Sequence, residues 1–118
     1  MQKALVAGND KKIISKVLSS VMWGNVGYER PDTATIDKTA IQMLRKKDYD
    51  VLIFLADNFP WEKIYKTARS QLGKVDLILL CQNEDFSLAK TAFDCGASGL
   101  FTFSEIKEKN FPKLLDDI

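Results

Sequence analysis

Residues 49–60 decide the fold, and they read Tyr-Asp-Val-Leu-Ile-Phe-Leu-Ala-Asp-Asn-Phe-Pro. The six residues from Val51 to Ala56 are apolar, lie between polar neighbours and show no helical periodicity. This pattern predicts a strand that is buried on both faces, as in the middle of a parallel sheet. Because Pro60 has no N–H to donate, the strand must end before it. Asp57 and its neighbours then lie at the carboxyl end of the strand, where ligands usually bind in open α/β sheets.

Composition limits the kinds of function. The chain has 118 residues, which suits one domain, with 17 Lys and Arg against 16 Asp and Glu, and no His. This near-neutral balance gives no general electrostatic reason to bind nucleic acid or a membrane surface. Without His, the commonest metal ligand is missing, so a metal site would use oxygen ligands and favour Mg²⁺ or Ca²⁺.

The two cysteines predict neither a disulfide framework nor a metal site. Cys81 and Cys95 stand alone, without the spacing of a zinc or redox motif. No secretory signal precedes the first strand, and no apolar run approaches the roughly 20 residues of a membrane-spanning helix. We therefore expect a reduced, soluble, cytoplasmic protein.

Strands and helices alternate along the chain on both sides of the central strand. Apolar runs predict strands at residues 3–7, 75–80 and 100–103, and a weaker strand at residues 25–29 that Pro31 closes. Helical spacing of apolar residues predicts five helices. They run from Asp10, as a cap, to Gly24; from Asp32 or Thr33 to about Lys47; over Trp61–Leu72; around Phe86–Phe93; and from Asn110 or Phe111 onward. Met22 and Met43 are expected in the core.

Five such alternations are typical of parallel βαβ units with right-handed crossovers. Gly8-Asn9-Asp10 follows the first strand but lacks the G-x-G-x-x-G spacing, which disfavours a dinucleotide-binding fold. The sequence alone therefore predicts a single α/β domain over residues 1–118.

Several segments in this order resemble the receiver domain of bacterial response regulators, the CheY-like family. They are Asn9-Asp10 after the first strand, Tyr49-Asp50 at the start of the third, Pro60 beyond it, and Gly96-Ala97-Ser98-Gly99 before the fifth. The resemblance covers essentially the whole chain. It implies a three-layer, flavodoxin-like (βα)5 fold whose parallel sheet has the strand order 2-1-3-4-5.

The resemblance also implies a phosphorylation site from which this sequence departs. In the family, an acidic pair and an Asp at the end of the third strand hold Mg²⁺, and that Asp accepts the phosphoryl group. Asn9 and Asp10 fall on the acidic pair. Counting from Tyr49 puts Leu55 at the acceptor position, and counting back from Pro60 puts Ala56 there. Neither side chain can be phosphorylated.

The remaining family positions depart in the same way. A Ser or Thr and a Lys contact the phosphoryl oxygens in relatives, whereas Cys81 and Phe103 stand at these positions here. Leu100 replaces the rotating aromatic switch residue. A phosphoryl dianion needs a metal and a cation around it. The loss of the acceptor, the hydroxyl and the lysine together predicts an atypical receiver that is not phosphorylated.

Two alternatives retain chemistry at this edge. The interval from Tyr49 to Pro60 is one residue longer than in relatives, so a bulge would swing Asp57 towards Asp10. These carboxylates would then hold Mg²⁺, and Asp57 would accept the phosphoryl group. The competing interpretation is that both residues cap helices. A third interpretation is that Cys81 acts as a redox sensor. The competing interpretation is that Cys81 is only a small apolar residue at the end of a strand.

The leading hypothesis is a non-catalytic signalling module that binds proteins without phosphorylation and without a cofactor. Its expected interface, by resemblance, is the face formed by the fourth helix, fifth strand and fifth helix, with Phe86, Leu100 or Phe103 as an anchor for a protein partner or a second copy. The alternative for Phe103 is that it folds inward and fills the lost phosphate pocket. No nucleic-acid or membrane partner is expected.

Overall fold

The computed structural model describes residues 1–118, and its five strands form one parallel sheet in the order β2-β1-β3-β4-β5. The strands are β1 (Ala4–Ala7), β2 (Asp32–Ala34), β3 (Val51–Leu55), β4 (Asp76–Cys81) and β5 (Gly99–Thr102). The helices are α1 (Lys11–Ser20), α2 (Asp37–Lys46), α3 (Trp61–Leu72), α4 (Phe86–Asp94) and α5 (Asn110–Asp117). Two 3₁₀ helices cover Trp23–Val26 and Phe103–Lys107. The predicted fold class and strand order are confirmed.

The central strand β3 is buried along its whole length, as its apolar run predicts. Its side chains alternate between the two faces of the sheet. Leu52 and Phe54 pack with residues of α2, α3 and α4, while Val51, Ile53 and Leu55 pack with residues of α1 and α5. The domain therefore has two apolar cores, one on each side of the sheet, which we call the α2/α3/α4 core and the α1/α5 core.

Two helix starts follow the expected capping chemistry. Asp10 accepts hydrogen bonds from the backbone N–H groups of Lys12 and Ile13, and Asp85 accepts them from Ser87 and Leu88. Each carboxylate satisfies donors that have no partner within the helix. The loops at the carboxyl ends of β1 and β4 thus lead directly into α1 and α4.

The predicted second strand at residues 25–29 is wrong. This segment begins in the second half of the first 3₁₀ helix, which Gly27 ends with a left-handed φ of 86°. Tyr28 then forms an isolated bridge with Gln2. The Tyr28 side chain is buried in the α1/α5 core, where its hydroxyl donates to the Leu115 carbonyl at 3.3 Å. The real edge strand follows Pro31, so α2 begins at Asp37 and not at Asp32 or Thr33.

The first helix is shorter than predicted, and the fifth strand is shifted by one residue towards the N-terminus. Helix α1 ends at Ser20, because Val21 is already extended, and Met22 is exposed and not part of the core. Strand β5 ends at Thr102, since Phe103 opens the second 3₁₀ helix. The bounds of α3 and the start of α5 are as predicted. None of the helices combines the length and apolar character that crossing a membrane requires.

Candidate functional site

The carboxyl end of β3 is filled by an apolar side chain. Leu55 is 1% exposed and packs directly over Gly8, which follows β1. A methyl group added at Gly8 would overlap the Leu55 side chain. Glycine at residue 8 therefore leaves the space that Leu55 occupies, and the ends of β1 and β3 meet in an apolar contact.

Ala56, the other position aligned with the phosphoacceptor, continues the sheet. Its N–H donates to the Leu80 carbonyl at 2.8 Å, and its half-buried methyl group packs against the α2/α3/α4 core. The pairing of β3 with β4 is regular from Val51 opposite Asp76 to Leu55 opposite Leu80. The extra residue before Pro60 is thus accommodated in the loop and not by a bulge in the strand.

Asp57 is exposed and linked to the neighbouring strand. Its Oδ2 accepts a hydrogen bond from the Gln82 N–H at 2.9 Å, just beyond β4. The interpretation that Asp57 caps the next helix is wrong, because α3 has Pro60 at its N-cap and no side-chain cap. The loop turns instead at Asn58, whose φ of 54° is left-handed.

The other candidate metal ligand also has a structural task. Asp10 caps α1, as one of the two interpretations predicted. Asn9 lines a shallow depression together with Asn58 and Asp37. No three acidic or cysteine side chains of the chain come together as a metal-binding group.

Cys81 is buried at the end of β4. Its Sγ lies 3.7 Å from the Phe101 carbonyl oxygen. Burial, together with the negative charges of Asp57 and Glu105, raises the pKa of the Cys81 thiol. Because the thiolate is the reactive form of cysteine, this environment disfavours redox chemistry at Cys81.

The positions that match the family's lysine and switch residue are half-buried and apolar. Phe103 packs against the α1/α5 core, and its carbonyl accepts a hydrogen bond from the Lys16 Nζ at 3.1 Å. Leu100 packs on the opposite side of the sheet, against the α2/α3/α4 core. Phe103 thus packs inward, as the second alternative considered for it expected, although its side chain is only half-buried.

An open groove of about 520 Å³ lies between α4 and β5. Its apolar lining includes Phe86, Ala89, Phe93, Leu100 and Phe101, and its polar lining includes Glu84, Asp85 and Glu105. Phe86 and Phe93 are 86% and 56% exposed, although large apolar side chains are usually covered. The sequence pattern placed Phe93 on the fourth helix but did not identify Phe93 or these acidic residues as part of a site. The seven-residue spacing of the two phenylalanines on one helix was the available signal.

Several solved structures of receiver domains have a similar architecture. The receiver domain of AraT from Geobacillus stearothermophilus is 21% identical and matches with a TM-score of 0.80, over 98% of this chain and 94% of that one. Vibrio cholerae CheY4 is 22% identical, with a TM-score of 0.72 over 98% and 92% of the two chains. The BeF3-activated receiver domain of Thermotoga maritima DrrB is 19% identical, with a TM-score of 0.72 over 99% and 92%.

Comparison of the sequence identifies no relative, since no protein-family model and no curated protein matches the chain. The identities to the solved structures are low, so these likenesses establish the fold alone. The chain has the fold of a response-regulator receiver domain.

Proposed function

We propose that this protein is a non-catalytic signal-transduction module that acts by binding other proteins, independently of phosphorylation. The observation that carries the proposal is the packing of Leu55 over Gly8 at the carboxyl end of β3. A receiver that accepts phosphate needs an open, charged pocket at this place. The burial of Leu55 at the aligned position supports the proposal that this chain forms no such pocket.

The electrostatics of the edge support the same conclusion. Binding of Mg²⁺ and a phosphoryl dianion requires several convergent carboxylates and a cation. Asp10 is engaged with the first turn of α1, Asp57 with the Gln82 N–H, and an apolar Phe103 stands where relatives have lysine. Under this proposal the protein uses no cofactor and acts in the cytoplasm.

The proposed interface is the face around α4 and β5. Phe86 is the most exposed aromatic side chain of the chain, and it borders the groove that Leu100 lines. Exposed aromatic residues beside an apolar groove are typical of protein-binding sites. Phe103 is partly covered by the α1/α5 core, so it contributes less to this surface than Phe86.

The test is whether the edge responds to phosphoryl ligands. Trp61 is 7% exposed at the start of α3, next to the loop that carries Asp57. In a Trp23→Phe background, which leaves Trp61 as the single tryptophan, we expect no saturable fluorescence change with Mg²⁺, beryllofluoride or acetyl phosphate. Mass spectrometry should detect no phosphorylated species. The DrrB receiver domain, treated in parallel, serves as the positive control.

The alternative is a Mg²⁺-dependent receiver that accepts phosphate on Asp57. It predicts a phosphoryl adduct that disappears in Asp57→Asn, which keeps an oxygen to accept the Gln82 hydrogen bond. Such an adduct would overturn the proposal of phosphorylation-independent action.

A further inference from the structure

The groove between α4 and β5 combines an apolar floor with an acidic rim. Phe86 and Phe93 are separated by seven residues, or roughly 10 Å along the helix, and stand on the same side of α4. The volume of about 520 Å³ falls within the range of about 300–1,000 Å³ that is usual for binding pockets. The two phenylalanines are thus spaced like apolar residues two turns apart on a partner helix.

The rim carries three carboxylates that form no ion pair within the chain. Glu84, Asp85 and Glu105 line the groove, and no Lys or Arg lines it. The two ion pairs of the structure, Lys47–Asp32 and Lys66–Glu62, lie elsewhere. The carboxylates of Asp85 and Glu105 accept hydrogen bonds from backbone N–H groups and a hydroxyl, and from no Lys or Arg side chain.

A second observation places these charges close together. The carboxylates of Asp57, Glu105, Asp85 and Glu84 all raise the pKa of the Cys81 thiol, after burial as the largest cause. Cys81 lies in the lining of the groove, beside its apolar residues. A chain with a net charge of only +1 thus concentrates negative charge at one end of its apolar groove.

We infer that this groove binds a basic amphipathic peptide segment, which places apolar side chains against Phe86 and Phe93 and Lys or Arg side chains against the acidic rim. The inference rests on the proposed protein-binding function and names the chemistry of the partner. An amphipathic helix that lays its apolar face into a groove is a common mode of peptide recognition. Opposite charges on the rim would fix its direction and speed its association.

A second copy of this chain fits the groove poorly. In a two-fold dimer the same patch of each copy forms the interface, so the interface would contain the acidic rims of both copies and no Lys or Arg from either groove. Like charges placed together at an interface are unfavourable. The charge distribution therefore favours a cationic partner over self-association through this face.

The test begins with a random-peptide phage library selected on the immobilised protein. Enriched peptides should carry several Lys or Arg residues and apolar residues three, four or seven positions apart. A labelled synthetic copy of one such peptide is then titrated with the protein by fluorescence anisotropy. Its affinity should fall as the salt concentration rises, because screening weakens the rim charges.

Conservative variants separate the two parts of the groove. A triple variant removes the charge of the rim and keeps the side-chain oxygens that cap α4 and the second 3₁₀ helix: Glu84→Gln, Asp85→Asn and Glu105→Gln. It should weaken peptide binding by roughly tenfold, because three ion pairs at a protein surface contribute about that much together. Phe86→Ala should weaken it by about tenfold or more. The matched control changes three exposed carboxylates outside the groove, with Glu29→Gln, Asp48→Asn and Asp117→Asn. It should leave the affinity for the peptide unchanged.

Three results would overturn the inference. One is a library that yields no binding peptides. Another is enrichment of neutral or acidic peptides that bind in a Phe86-dependent manner, which would leave the protein-binding function standing and reject only the cationic partner. The third is dimerisation of the chain at micromolar concentration that Phe86→Ala abolishes, since a second copy would then be the occupant. Phosphorylation of Asp57 would reject the proposed function independently of all three.

Discussion

Two residues of complementary size pack together at the carboxyl edge of this sheet. Gly8 remains within the sheet, because its N–H donates to the Ala34 carbonyl at 3.1 Å. Its missing side chain creates a recess, and the Leu55 side chain fills it. The two positions are complementary in size, so neither can change alone without a clash or a cavity.

This complementarity predicts a measurable coupling. Gly8→Ala should destabilise the fold by about 1–3 kcal/mol through overpacking, and Leu55→Ala by about 2–5 kcal/mol through the cavity it leaves. The double variant should lose less than the sum, by about 1 kcal/mol or more, because the new methyl group enters the new cavity. Urea denaturation monitored by circular dichroism measures all three free energies of unfolding.

Gly24→Ala is the matched control, since nothing lies within 4 Å of a side chain added there. Its free energy of unfolding should stay close to that of the unchanged chain. Additive effects of Gly8→Ala and Leu55→Ala would contradict the proposed packing.

At the scale of elements, polar contacts join the short edge strand β2 to the segment that precedes β3. The Tyr49 hydroxyl donates to Asp32 Oδ2 at 2.7 Å, and Lys47 Nζ lies 3.1 Å from the same oxygen. The Tyr49 hydrogen bond is the main reason that the pKa of Asp32 is lowered. Burial and the hydrogen bond to Asp32 raise the pKa of Tyr49.

The direction of the Asp32 shift fixes its effect on stability. A carboxyl group with a lowered pKa in the folded state stabilises the protein above its unfolded pKa of about 3.9, and this contribution is lost as the pH falls through the folded value. Tyr49→Phe should therefore cost about 0.5–1.5 kcal/mol at pH 7, nearer the lower figure because the Asp32 side chain is 36% exposed. The cost should shrink below about pH 4.

Urea denaturation at several pH values measures this difference. Tyr28→Phe is the control, because its hydroxyl bonds to the Leu115 carbonyl, which does not titrate. Its cost should stay constant over the acid range. A Tyr49→Phe cost that is equally independent of pH would show that Asp32 does not gain its stability from Tyr49.

Long apolar runs made most elements predictable from the sequence. Strands β3 and β4 are buried on both faces, so their composition alone identifies them. Helix α3 is bounded by Pro60 and Gly73, which are strong helix-boundary signals. The edge strand β2 has only three residues, Asp-Thr-Ala, and its first two are half-buried, so it carries no such run.

Contacts between distant segments were beyond the sequence pattern. The bond from Gln82 to Asp57 depends on the pairing of β3 with β4, and the packing of Leu55 over Gly8 depends on the pairing of β1 with β3. Tyr28 was misread because a buried aromatic residue in an alternating segment looks like a strand residue. The acidic groove arises only when the loop after β4, α4 and the second 3₁₀ helix come together.

On the scale of the whole molecule, the two faces of the sheet are covered unequally. The α1/α5 side is closed by Phe111, which is fully buried and packs edge-to-face on Phe101 with ring centroids 5.6 Å apart. On the other side, α4 leaves Phe86 and Phe93 largely exposed beside the groove. Phe111 therefore serves the cohesion of the domain, Phe86 and Phe93 serve the proposed binding surface, and Phe101 contributes to both.

The same substitution on the two sides should then give opposite results. Phe111→Ala should destabilise the domain by about 3–5 kcal/mol, because it removes a fully buried ring, whereas Phe86→Ala should change stability by less than about 0.5 kcal/mol, because its ring is mostly in water. Both variants should unfold in a single transition, since the two cores share one sheet. Urea denaturation monitored by circular dichroism and by tryptophan fluorescence checks both expectations. If Phe86→Ala costs as much as Phe111→Ala, Phe86 belongs to the packed interior, and the loss of peptide binding in that variant would reflect unfolding and not a lost contact.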